Sequence, residues 1–387
     1  MRFPIAVAGA AVLASFGFAQ DGPERSRGAA ALVGSAQPAP RANASSRTPL
    51  SDADFHALVT GLSEPGGTFI TDNLLSNEIA FQDVLPELQR RRVQGAYLGV
   101  GPEQNLSYIA ALQPPIAFVV DLQRGNLRLH LLYKALIELS NSRADFLSRI
   151  FCRLRPHDLT VQMSAAQLFD AYRTLQGRAW VPGMLDMHLQ EVFDRLTRVH
   201  HFGLTREDRN GIRAIYRAWC EGGPDMRGDF GRNPSIPSWV PSYAEMMTAA
   251  DPFGENQSFL GSEDRYLTLR QYELDNLIVP VVGDFAGDKA LRAVGAYLAR
   301  RGLTVGTFYT SNVEDYLFRS DAWRRFFRNV GALPIDDESM FIRTYFTQSL
   351  EGMREYVDPI RPTLEAFGKG EIRSYDDVIA HSRVPRS

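Results

Sequence analysis

The sequence predicts an α/β protein, with a mostly parallel sheet flanked by helices and a large helical insertion. Three observations predict it. Short apolar runs bounded by turn residues alternate with helical periods over 93–140, and again over 275–347. The first run, Ala96 to Gly99, enters a glycine turn at Gly99, Val100 and Gly101. The second, Ile116 to Asp121, ends on a carboxylate 20 residues after Gly101, the spacing of two parallel strands joined by a helix.

The chain opens on Met1 and Arg2, followed by an apolar stretch from Phe3 to Phe18 and small residues up to Ala19. This pattern predicts an export signal over 1–19. The other reading is an uncleaved anchor, but the stretch falls short of the roughly 20 residues a spanning helix needs. Residues 20–50 are rich in Ala, Pro, Ser, Gly and Arg without an apolar period and read as a disordered linker. The folded domain is then expected over 51–384, in a periplasmic or secreted protein. Lys and Arg number 42 against 45 Asp and Glu, a balance that argues against a nucleic-acid partner. No later apolar run is long enough to cross a membrane, so no span is expected after signal cleavage. Cys152 and Cys220 either pair in an oxidising compartment or remain buried thiols.

Within the domain, Phe55, Leu58, Val59 and Leu62 recur at helical spacing until Pro65, Gly66 and Gly67 break the run. Ser76 reads as the N-cap of a helix reaching Arg91, with Pro86 kinking or splitting it. Strand one follows at 95–100, a helix from Glu103 to Leu112, strand two at 116–121, and a helix from Gly125 to Leu139 with a leucine-rich face. Strand signals then cease. Helical periods over Leu189–Val199, Arg206–Trp219 and Asp264–Asp275 place a helical insertion at about 141–275. Leu277 to Asp284 reads as a buried strand with an acid at its end, Lys289 to Arg301 as a helix stopped by Gly302, and Thr304 to Thr310 as a strand. Ser311 or Asn312 caps the next helix, Trp323 to Val330 is helical, and Ser339 to Phe346 is the last clear strand.

Ligands in open α/β sheets bind at the carboxyl ends of the strands. Gly99, Gly101, Asp121, Asp284, Tyr309, Asn312 and Glu314 all fall at such ends. A glycine loop lets the backbone approach a nucleotide-like ligand, and a strand-end acid can accept hydrogen bonds from ribose hydroxyls. Asp121 and Asp284 are equally explicable as helix caps, Asn312 with Glu314 as a capping arrangement, and Tyr309 as core. Asp72, Asn73, Asn77 and Glu78 form a polar cluster that reads either as a clamp on a ligand or as a self-satisfied loop. The seven histidines offer no HExxH motif and the two cysteines no metal-ligand spacing, so no metal is expected. No Gly-x-Ser-x-Gly elbow or phosphate loop occurs.

The order of these pieces resembles the class I methyltransferase core, the Rossmann-like enzymes that use S-adenosylmethionine. Gly99 to Gly101 stands where that family has its glycine loop, Asp121 at the ribose-binding acid, and Gly283 with Asp284 at the acid near the adenine. Tyr309, Asn312 and Glu314 stand where strand four delivers residues to the methyl group. Gly66–Glu78, Tyr97–Asn105 and Tyr309–Phe318 also resemble an uncharacterised bacterial family sharing this core. The resemblance implies Gly99, Gly101, Glu103, Asp121, Asp284, Asp72 and Asn73 as cofactor contacts, and Tyr309, Asn312 and Glu314 as catalytic candidates. Two positions depart from the pattern: Tyr97 replaces an acid, and Glu103 replaces a small residue. The implied activity is methyl transfer from S-adenosylmethionine to an unknown acceptor. A non-catalytic exported binding protein is the alternative. A nicotinamide oxidoreductase is disfavoured by Gln104, where a dinucleotide loop needs its third glycine.

Overall fold

A computed structural model describes residues 47–69, 74–174, 181–228, 240–346 and 353–382. The expected export segment and most of the expected linker lie outside them. Residues 47–50, assigned to the linker from sequence, pack on the domain instead: Leu50 is buried, its N–H donates to the Asp275 carbonyl at 2.9 Å, and Arg47 lies over the Tyr272 ring.

Six strands form one sheet: β1 (Ala96–Gly99), β2 (Ala117–Asp121), β3 (Ile278–Val282), β4 (Val305–Ser311), β5 (Ile335–Tyr345) and β6 (Arg354–Pro359). Their order is β3-β2-β1-β4-β5-β6. The first five are parallel, and β6 runs antiparallel to β5. β1, β2 and β3 read as unbroken apolar runs because helices cover both faces of the sheet. Pro280 fits within β3 because β3 is an edge strand, where a missing N–H disrupts no second ladder. The chain runs outward from β1 through β2 to β3, then returns to lay β4 on the other side of β1. That reversal opens a crevice above the carboxyl ends of β1 and β4.

Helices fill the insertion: Arg143–Ile150, Ala165–Thr174, Pro182–Asp194, Arg206–Gly222, Tyr243–Thr248 and Glu263–Leu274. Cys152 and Cys220 form a disulfide inside it. A buried polar tie joins the insertion to the core. His200 Nε2 meets Glu138 at 2.7 Å and its Nδ1 meets Asp52 at 2.6 Å, while Lys134 pairs with Glu138 at 2.8 Å.

Three local expectations change. Ser76 caps no helix; a 3-10 turn at Phe81–Val84 leads into a helix over Leu85–Arg91, and Pro86 sits in that helix's first turn, where its missing N–H costs nothing. Ser339–Phe346 is not the last strand. β6 follows it, hidden from sequence because its inward side chains include Glu355 and Asp358. Asn312 precedes the helix Val313–Arg319 without a side-chain capping bond.

Candidate functional site

The loop after β1 is fixed from beneath by one side chain. Asn105, fully buried in the helix Gln104–Leu112, donates from Nδ2 to the carbonyls of Val100 (2.8 Å), Gly101 (3.2 Å) and Pro102 (2.8 Å). Tyr97 Oη donates to Asn105 Oδ1 at 2.8 Å and fixes the amide's orientation. A Cβ on Gly99 would lie 2.0 Å from that same Oδ1. Gly99 therefore makes room for Asn105 and stands outside the cavity wall. Gly101 turns the loop, with φ at 78°. His130 Nε2 donates to the Gly101 carbonyl at 2.9 Å, and burial lowers this imidazole to about 4, which keeps it neutral.

A cavity of about 640 Å³ opens above this loop, within the size range of small-molecule sites. Gly101 and Pro102 line it from β1, Asp121 from β2, Gly283 and Asp284 from β3, and Tyr309, Ser311 and Asn312 from β4. The sheet thus brings Gly101, Asp121, Asp284, Tyr309 and Asn312 to one crevice. Asp121 accepts N–H bonds from Gln123 (2.7 Å) and from Gly101; burial raises it to about 6 despite those bonds. Asp284 Oδ1 accepts the Ala286 N–H at 2.8 Å, and its own N–H donates to Glu64 at 2.7 Å. A second cavity of about 500 Å³ adjoins the first and shares Asn312 and Phe346 with it.

Two candidates turn away. Glu103 is fully buried beneath the loop and accepts the Ser76 N–H at 3.2 and 3.4 Å; burial pushes its carboxyl up to about 8. Glu314 is fully buried against Arg343, whose Nε lies 2.6 Å from Glu314 Oε2 and whose other arm meets Asp358 at 3.0 Å. Neither lines the cavity. Asp72 and Asn73 lie outside the described residues.

Glu78 does line the cavity, although sequence reasoning gave it no role beyond the polar cluster. Its carboxylate accepts from Gln104 Nε2 (2.7 Å), Tyr309 Oη (2.7 Å) and Ser311 Oγ. It joins the segment before β1 to the end of β4. The ring pair Phe69 and Tyr316, with centroids 4.8 Å apart, adds an aromatic wall, and Arg325 is the cation in the lining. In the sequence the cluster around Glu78 and the strand-end Tyr309 signalled this group; Ser311 read only as a helix cap, and nothing marked Tyr316 or Arg325.

Among the described residues, no group of three or more His, Cys, Asp or Glu could hold a metal ion, and no helix is long and apolar enough to cross a membrane. Fold and cavity together define a doubly wound α/β protein with a cavity of small-molecule size at its topological switch point. Residues 74–358 match the family described as a domain of unknown function (DUF7790), and the chain belongs to that family. A comparison with curated proteins finds no match.

Proposed function

We propose that this protein binds S-adenosylmethionine in the crevice above β1, β2 and β4 and is an exported methyltransferase-like protein acting on a small molecule. The observation that carries the reading is the convergence of Gly101, Asp121, Asp284, Tyr309 and Asn312 on one cavity of ligand size. The donor set suits the group. Asp121 keeps lone pairs for ribose hydroxyls beyond the two N–H bonds it accepts, and the left-handed Gly101 brings bare backbone to the wall. Asp284 and the Phe69–Tyr316 pair offer a polar edge and an aromatic wall to a base. When bound, the cofactor supplies a methyl group already activated on sulfonium. The chain's part is alignment and exclusion of water, and Tyr309 and Ser311 hold their protons on Glu78 beside the cavity. Export is supported by the Cys152–Cys220 disulfide, a bond that persists in oxidising compartments.

One observation favours the second reading, a non-catalytic binding protein: Glu314, the carboxylate expected near the methyl group, is consumed by Arg343. Thermal melting with added ligand tests whether the cofactor binds. At a ligand concentration about 100 times Kd, stabilisation of about 2.7 kcal/mol is expected, and Asp121→Ala should abolish it. No shift with S-adenosylmethionine or its demethylated product at millimolar concentration removes the enzyme reading in favour of the binding protein. Methyl-labelled cofactor incubated with cell-envelope extract separates the two: transferred label supports the enzyme, and binding without transfer supports the binding protein.

A further inference from the structure

We infer that Glu78 makes the crevice selective for an organic ligand carrying a positive charge set against its carboxylate. This rests on the cofactor reading above and names the charge at the sulfonium position, rather than the α-ammonium common to the product, as the feature of the cofactor that the site recognises. Glu78 is 2 % exposed, yet it faces the cavity. All three of its hydrogen-bond donors are neutral side chains. No Lys, Arg or His among the described residues forms an ion pair with it. A carboxylate removed from water without a counter-charge is costly, and buried charges are normally paired. Here the open side of the carboxylate is the cavity itself, so the missing counter-charge is the ligand's to supply.

The surroundings agree in sign. Asp121 and Asp284 add two carboxylates to the wall against Arg325. Phe69 and Tyr316 add aromatic surface to the same wall, and the Tyr316 ring already holds the Arg319 guanidinium 5.6 Å from its centroid, as aromatic rings attract cations. The described residues form no metal cluster, so an organic cation is the matching class. The charge of Glu78 is also felt behind the wall, where it adds to burial in raising Glu103, Tyr309 and Glu355.

S-adenosylmethionine and S-adenosylhomocysteine differ by one methyl group and one positive charge, and sinefungin carries an ammonium group in place of the sulfonium. Titration calorimetry on the full chain should find the two cationic ligands tighter than the neutral thioether by on the order of ten-fold. In Glu78→Gln the preference should fall to within about four-fold, roughly what the extra methyl group alone is worth. Adenosine, which has no charge there, should bind wild type and Glu78→Gln alike, and so reports that the variant is folded. Adenosine binding accompanied by equal affinity for charged and neutral ligands in the wild type overturns this inference alone, whatever the variant does. A preference that survives in a folded Glu78→Gln overturns it too. If none of the four ligands binds, the cofactor reading falls and takes this one with it.

Discussion

Replacing Glu103 by Gln tests whether the acid at the loop is a ligand group or an internal support. In the fold this carboxyl is fully buried and raised to about 8 from an ordinary 4.5, chiefly by burial. Between those two values the native state holds a proton that the unfolded chain has released. The stabilising contribution is therefore complete below about pH 4.5 and is lost as the pH climbs through 8. Each pH unit in that window costs about 1.4 kcal/mol, so the wild type should lose about 3 kcal/mol between pH 5 and pH 7 from this group alone. Glu273, also raised to about 8 by burial, adds a slope of the same sign. His130, lowered to about 4, gives the opposite slope between pH 4 and 6.5. Both remain in the variant, so the difference between the two proteins isolates Glu103. Gln keeps an acceptor for the Ser76 N–H and removes the titration. Urea unfolding at pH 5, 6, 7 and 8 should show the variant gaining on the wild type by about 3 kcal/mol as the pH rises from 5 to 7. Parallel stability curves for the two proteins would refute the burial argument. Because Glu103 lies outside the cavity wall, the ligand-induced melting shift should be unchanged, and its loss would return Glu103 to the ligand site.

Gly99→Ala should cost about 2–4 kcal/mol and abolish the ligand shift, because its Cβ would meet Asn105 Oδ1 at 2.0 Å and free three loop carbonyls from their common donor; urea and thermal melting check it, and an unperturbed variant would mean the Asn105 lock is not needed. Cys152→Ser with Cys220→Ser removes a link between residues 68 apart and should lower unfolding free energy by about 4 kcal/mol, with a matching fall in the wild type under reductant; an unmoved urea midpoint in both experiments contradicts it.

The architecture was legible because each parallel strand is buried on both faces and leaves an apolar run, and because the helices between strands carry 3.6-residue periods. Asp121 and Asp284 could be placed at strand ends by counting alone. The direction of side chains at those ends could not. Glu103 and Glu314 occupy positions where the resemblance implies a role at the ligand, but Ser76 and Arg343, distant in sequence, turn them inward. Gly99 was read as room for a ligand, and the room belongs to Asn105. β6 escaped because its buried acids Glu355 and Asp358 are satisfied by Thr344 and Arg343 of β5, pairings that no local pattern reveals.

The two departures from the methyltransferase pattern share one physical cause. Tyr97 is 1 % exposed and donates to Asn105 Oδ1, which an ionised acid at that position could not do. With its oxygen held, Asn105 must point its amide nitrogen at the loop and gathers the carbonyls of Val100, Gly101 and Pro102. Glu103 holds the Ser76 N–H from the far side of the loop, and the Ser76 hydroxyl donates to Gln104 and accepts the N–H of Glu78. Tyr97 and Glu103 are thus the two ends of a support that sets the glycine loop and Glu78 before any ligand arrives. A site built this way carries its ordering cost in folding, and binding then has little backbone entropy left to oppose it. A small residue at 103 is dispensable for the same reason: the cavity side of the loop is shaped by Gly101, and the space behind it is filled by a carboxyl that holds the Ser76 N–H.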